Sequence, residues 1–149
     1  MDSPVFLDLF QMDAAMSTND VTLNTVQAFL GAMGTRNLDA IVELFSEQVD
    51  WFIPGDENQV PWVGKKRTFA EVQEFYQSLW SSTEALGAEI RFLGAHGDTG
   101  VVTGSFQTKI LKTGKIVDSL FFLEIDFEGD LIAKYRLLED TLQVSSTLS

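Results

Sequence analysis

Cysteine is missing from all 149 residues. That excludes a disulfide framework, a thiol nucleophile and a thiolate-bound metal. The only histidine, His96, lies in the turn-like stretch AHGDTG, a setting for a solvated turn residue more than for a general base. One histidine cannot build a multi-histidine metal site, and no acids are spaced like a calcium loop. No phosphate-cradling glycine loop is present: TGK at Thr113 to Lys115 lacks the upstream glycine and the terminal hydroxyl residue. Cations are scarce, 10 Lys and Arg against 22 acids, for a net charge of −12. A field of that sign repels phosphate backbones and anionic membranes, so neither nucleic acid nor a membrane is expected as partner. No apolar run approaches membrane-spanning length. The opening MDSPVFLDLFQMD has acids where a secretory signal has bases, so the expected location is cytoplasmic. No metal and no cofactor is expected.

What the sequence has is apolar bulk. Hydrophobic residues make up 45% and aromatics 11%, with 12 Phe and 3 Trp, enough for one sizeable core. Residues 1–19 read as an N-terminal arm of uncertain order, and residues 20–149 as one domain. Val26, Phe29, Leu30 and Met33 form a helical stripe stopped by Gly34. Asn37 is placed to cap a second short helix with stripe Leu38, Ile41, Val42 and Phe45. VDWFI, ended by Pro54-Gly55-Asp56, predicts a strand, and a loop follows through Gly64. Thr68 and Glu71 have capping-box spacing ahead of Val72, Phe75, Tyr76 and Leu79. Strands are expected at Ala88–Ala95, Val101–Leu111, Ile116–Phe127 and Leu131–Leu142, joined by the short turns HGDTG, KTGK and EGD. This order predicts an α+β domain with helices on one face of an antiparallel meander. A strongly twisted sheet of this kind curls into a cone with an apolar mouth.

Alternation assigns the faces. In the last strand Leu131, Ala133, Tyr135, Leu137 and Glu139 share the more apolar side, expected inward, opposite Ile132, Lys134, Arg136, Leu138 and Asp140. Asp140 is then expected beside Lys134 and Arg136 on the exposed face. Val117, Ser119, Phe121, Leu123, Ile125 and Phe127 face in from the strand before. Val102, Gly104, Phe106, Thr108 and Ile110 do so from the one before that.

Candidate chemistry therefore rests on carboxylates and phenols. A lone Glu139 in apolar surroundings has its charged form disfavoured and can shuttle a proton near neutral pH. Tyr135, on the same face, and Tyr76, on the third helix's inward stripe, can donate hydrogen bonds to a developing oxyanion. The competing reading makes Glu139 a solvated strand-end residue and both tyrosines core residues with wet hydroxyls. Trp51 shares a face with Ile53, and with Trp62 beyond the loop it suits a flat hydrophobic ligand. Trp51, Ile53, Trp62, Phe106, Leu123 and Leu137 are the expected ligand-binding residues.

NLDAIVELFSEQVDWFIPG, the PWVGKK loop and GDLIAKYRLLEDT resemble the NTF2-like superfamily, in its SnoaL-like and ketosteroid isomerase-like branch, over residues 20–144. The resemblance implies a curved antiparallel sheet wrapped on three helices, a conical pocket for a small hydrophobic molecule, and a homodimer through the outer sheet face. It also implies catalytic positions, and this sequence departs from them. The isomerases' base falls at Ile53, their oxyanion tyrosine at Phe29, and their protonated aspartate at Phe122 or Leu123. The acid that related cyclases and epoxide hydrolases carry on the last strand falls at Leu137, and no Arg lies between Arg91 and Arg136. Two functions stay open: a metal-free isomerase or cyclase with a rearranged constellation around Glu139, or a non-catalytic ligand-binding or dimerisation module.

Overall fold

The computed structural model describes residues 3–149, with side chains from residue 18 onward. The chain opens with helix α1, Ser3–Gly34, so residues 3–19, read as an arm, form the helix's first half. The side chains of the apolar residues of that arm, Val5, Phe6, Leu9 and Phe10, lie outside the described set. Val26 and Phe29 of the expected stripe are buried. The Asn37 side chain accepts from the Ala40 N–H and starts helix α2, Leu38–Val42. This helix is shorter than its stripe suggested, since Phe45 already opens strand β1, Phe45–Ile53.

Strand β2, Gly64–Thr68, follows the expected loop and carries no strand signal of its own, because GKKRT has no apolar alternation; as an edge strand it needs none. Thr68 then caps helix α3, Phe69–Ser82: its Oγ1 accepts from the Glu71 N–H, while Glu71 Oε1 accepts from the Arg67 N–H. Strands β3 (Thr83–His96), β4 (Thr99–Ile110), β5 (Ile116–Glu128) and β6 (Leu131–Glu139) complete the sheet. Its order is β2-β1-β6-β5-β4-β3, antiparallel except for the parallel β1–β6 pair.

Two expectations about β6 are corrected. The strand stops at Glu139, because Asp140, exposed as expected, pairs with neither Lys134 nor Arg136 and is instead the N-cap of a fourth helix, α4 (Thr141–Ser146), accepting from the Gln143 N–H. Parity also slips near the strand's start, where an irregularity in the β5–β6 register pairs Phe127 with Ile132 but Asp126 with Lys134. Ile132 is therefore buried and Leu131 exposed, the reverse of the simple alternation, whereas Tyr135 onward keeps the expected face. In β5 the inward set from Val117 to Phe127 is as expected.

Close approaches fix α1 against the sheet. The Thr22 hydroxyl donates to the Gly97 carbonyl, and Asn19 Oδ1 accepts from the Gly97 N–H, docking the helix on the β3–β4 turn. A Cβ on Gly100 would lie 2.6 Å from Val26 Cγ2, so glycine lets β4 pass under the helix. Gly104 faces inward where a Cβ would meet the Glu89 carbonyl oxygen at 2.0 Å. Among the described residues no helix is long and apolar enough to cross a membrane.

Candidate functional site

Three consecutive inward positions of β6, Tyr135, Leu137 and Glu139, form one column, paired across to Ile125, Leu123 and Phe121 of β5. Behind Tyr135 lies an aromatic layer. The rings of Trp51 and Tyr135, which the β1–β6 register sets side by side, stack at 3.9 Å and 9°. Tyr76 meets Trp51 edge-on at 6.0 Å, and Phe29 meets Tyr135 edge-on at 5.9 Å. The layer is dry: Trp51 is 1% exposed and Tyr76 0%.

In front of it the curved sheet, α1 and α3 enclose a cavity of about 540 Å³. That is within the size range of small-molecule sites. Its wall includes Ile53, Trp62, Phe106, Leu123, Tyr135, Leu137 and Glu139, and with them Phe29, Trp80 and Phe121. Of the residues singled out from sequence, Trp51 and Tyr76 are not in the wall; Trp51 stands behind Tyr135 as its stacking platform. Trp80 was missed, although its place one turn after Tyr76 was readable. Arg36 also lines the cavity and was missed, because a residue in the α1–α2 turn carries no periodic signal.

Electrostatics single out Glu139. Burial among apolar side chains raises its carboxyl from 4.5 to about 7. Among the described residues no cation and no hydrogen-bond donor meets it. Tyr135 is pushed up by burial, against a smaller opposing effect of the Tyr76 hydroxyl, with the Glu139 charge adding to the rise. Tyr76 is pushed well up by burial first and by Tyr135 second. The two hydroxyls are near enough to influence each other's proton, yet no hydrogen bond of ordinary geometry joins them. The Tyr76 hydroxyl and Trp51 Nε1 are buried without partners. Among the described residues no group of three His, Cys, Asp or Glu could hold a metal ion.

The sequence profile of the SnoaL-like domain matches residues 26–135. This chain belongs to the SnoaL-like domain family. The stretch matched runs from the buried Val26 to Tyr135, and so covers most of the cone. Solved structures with the same NTF2-like fold include an NTF2-like protein from Burkholderia xenovorans, 21% identical, with TM-score 0.78 over 88% of this chain and 98% of that one. A putative isomerase from Rhodopseudomonas palustris matches at TM-score 0.76, 16% identity, over 83% of this chain and 94% of that one. An LEH-like epoxide hydrolase from M. tuberculosis matches at TM-score 0.70, 14% identity, over 87% and 90%. No curated protein matches. At these identities the structural likeness shows the fold alone.

Proposed function

We propose that this SnoaL-like protein binds a small hydrophobic molecule in the cone and moves a proton on it, as an isomerase or cyclase does. Glu139 takes the proton from a carbon beside a carbonyl and returns it to another position. Tyr135 donates a hydrogen bond to the carbonyl oxygen while negative charge gathers there. The observation that carries this reading is the Glu139 carboxyl itself: it shares an apolar cavity wall with Tyr135 and is held near 7, where it can both accept and release a proton at neutral pH. The relatives named isomerase and epoxide hydrolase are consistent with such a use of the fold.

A second reading, a non-catalytic ligand-binding module, is favoured by Phe29, Ile53 and Leu137. All three line the cavity with apolar side chains where the catalytic groups of related enzymes would fall.

Exchange of the protons beside the carbonyl of hydrophobic cyclic ketones, followed by NMR in deuterated water, separates the two. Proton transfer requires exchange by the wild-type protein that drops by about a hundredfold or more in Glu139→Gln. The variant should still take up the uncharged fluorophore N-phenyl-1-naphthylamine. Ketones that bind without exchanging, equally in both proteins, would establish the second reading.

We further propose that two copies pair through the outer sheet face. Leu138, Phe122, Thr103 and Phe92 stand in one row across β6, β5, β4 and β3. Its large apolar members are 53%, 55% and 56% exposed, an apolar surface that monomers seldom leave open.

A further inference from the structure

Arg36 occupies the turn between α1 and α2 with φ 51°, in the left-handed region where glycine or asparagine is the ordinary choice. A long side chain at this position carries a cost in backbone strain. Its guanidinium crosses to the α3–β3 junction: Nη1 donates to the Trp80 carbonyl at 3.1 Å and the Thr83 carbonyl at 2.7 Å, and Nη2 donates to Thr83 Oγ1 at 3.0 Å. Those bonds use three of the five N–H groups and hold the plane still. The Nε–H and one Nη2–H remain, the neighbouring pair that can grip both oxygens of a carboxylate.

Arg36 lines the cavity, and burial lowers its proton affinity, with Glu84 acting in the opposite sense. Arginine nonetheless stays charged. Among the described residues no carboxylate lies within ion-pair distance of it. Glu139, the carboxyl of the wall, cannot serve. It pairs with Phe121 and through it with Gly104, whereas Thr83 pairs with Ile110, six residues further along β4. Six residues are about 20 Å of extended strand. The cavity thus has a fixed cation in one part, a titrating acid in another, and between them a mostly apolar wall that also includes Gln107 and Thr108.

Taking the cavity to be a binding site, as argued above, we infer that its ligand is a hydrophobic carboxylic acid, whose carboxylate is received by Arg36 while the apolar body fills the cone. A tie between the α1–α2 turn and α3 would account for the three bonds that are made. It would leave two N–H groups of a side chain that lines the cavity without a partner in the described protein.

Dodecanoate and dodecan-1-ol, matched in chain and different in head group, test this by displacing N-phenyl-1-naphthylamine from the intact protein. The acid should bind about tenfold more tightly than the alcohol or better, the strength of a charge-assisted hydrogen-bonded pair. In Arg36→Gln the two affinities should converge. Arg36→Lys, which keeps the charge and loses the fork, should fall between. Equal affinities for acid and alcohol in the wild-type protein overturn the inference and leave the cavity reading standing, and so does a preference that survives unchanged in Arg36→Gln. A fluorophore that never enters overturns the cavity reading itself. Should Arg36→Gln fail to fold by circular dichroism, the wild-type ratio and Arg36→Lys still decide.

Discussion

Glu139 gives the molecule a pH dependence whose sign can be worked out. Its folded-state carboxyl lies at about 7 against an ordinary 4.5, so the folded chain holds the proton more tightly than the unfolded one. Stability is therefore free of this penalty below the lower value, declines between the two, and carries the full cost above the higher. The difference corresponds to about 3 kcal/mol at most, by the usual conversion of proton affinity to free energy. Glu139→Gln removes the ionisable group. Its melting temperature should exceed the wild type's at about pH 8 and match it near pH 4, by several degrees for a domain of this size. Melting curves for the two proteins that run parallel across that range would show that Glu139 is not desolvated. The same residue was legible in the sequence because strand parity holds from Tyr135 to Glu139. Arg36 was not, because a left-handed turn residue belongs to no period.

Elements were readable where packing and local preference agree. The Asn37 and Thr68 caps and the whole inward face of β5 follow from side-chain chemistry and period alone. The failures share a physical cause: a neighbour's geometry overrules the local signal. Strand β2 is made by pairing with β1 and not by its own composition. The slip at the start of β6 comes from one extra residue, Ala133, between the pairs Phe127–Ile132 and Asp126–Lys134, and no residue type announces it. Asp140 is ambiguous by nature, since a carboxylate after an apolar strand reads equally as a strand residue or as a cap. Its role in capping α4 has a measurable consequence. Val144 of that helix lines the cavity, and its backbone N–H is bonded to the Asp140 carbonyl. Asp140→Ala should cost about 1 kcal/mol in denaturant unfolding. It should also speed hydrogen exchange in residues 141–147 while leaving β3 and β4 unchanged; uniform acceleration would mean that α4 is no separable unit.

At the scale of the molecule, both open edges of the sheet carry charge. Strand β2 presents Lys65, Lys66 and Arg67, and β3 presents Glu84, Glu89 and Arg91. Charged edges discourage strand-to-strand pairing between copies. The pairing of copies proposed above uses the outer face instead, where Phe122 and Leu138 lie side by side. Phe122→Asp should turn a dimer into a soluble monomer in sedimentation velocity. A wild-type protein that already sediments as a monomer would remove the proposed interface.

The parallel pairing of β1 with β6 also governs the order in which the molecule can be assembled. During synthesis β1 and β2 emerge early and can close on each other, and β3, β4 and β5 can form a ladder soon after. The two pieces share no strand contact until residues 131–139 leave the ribosome and slot between them. Until then Trp51 has no Tyr135 to stack on and the cone has no floor. The nascent chain must carry the face of Trp51 that Tyr135 covers unsheltered until then, a demand that long-range pairing places on any growing polypeptide.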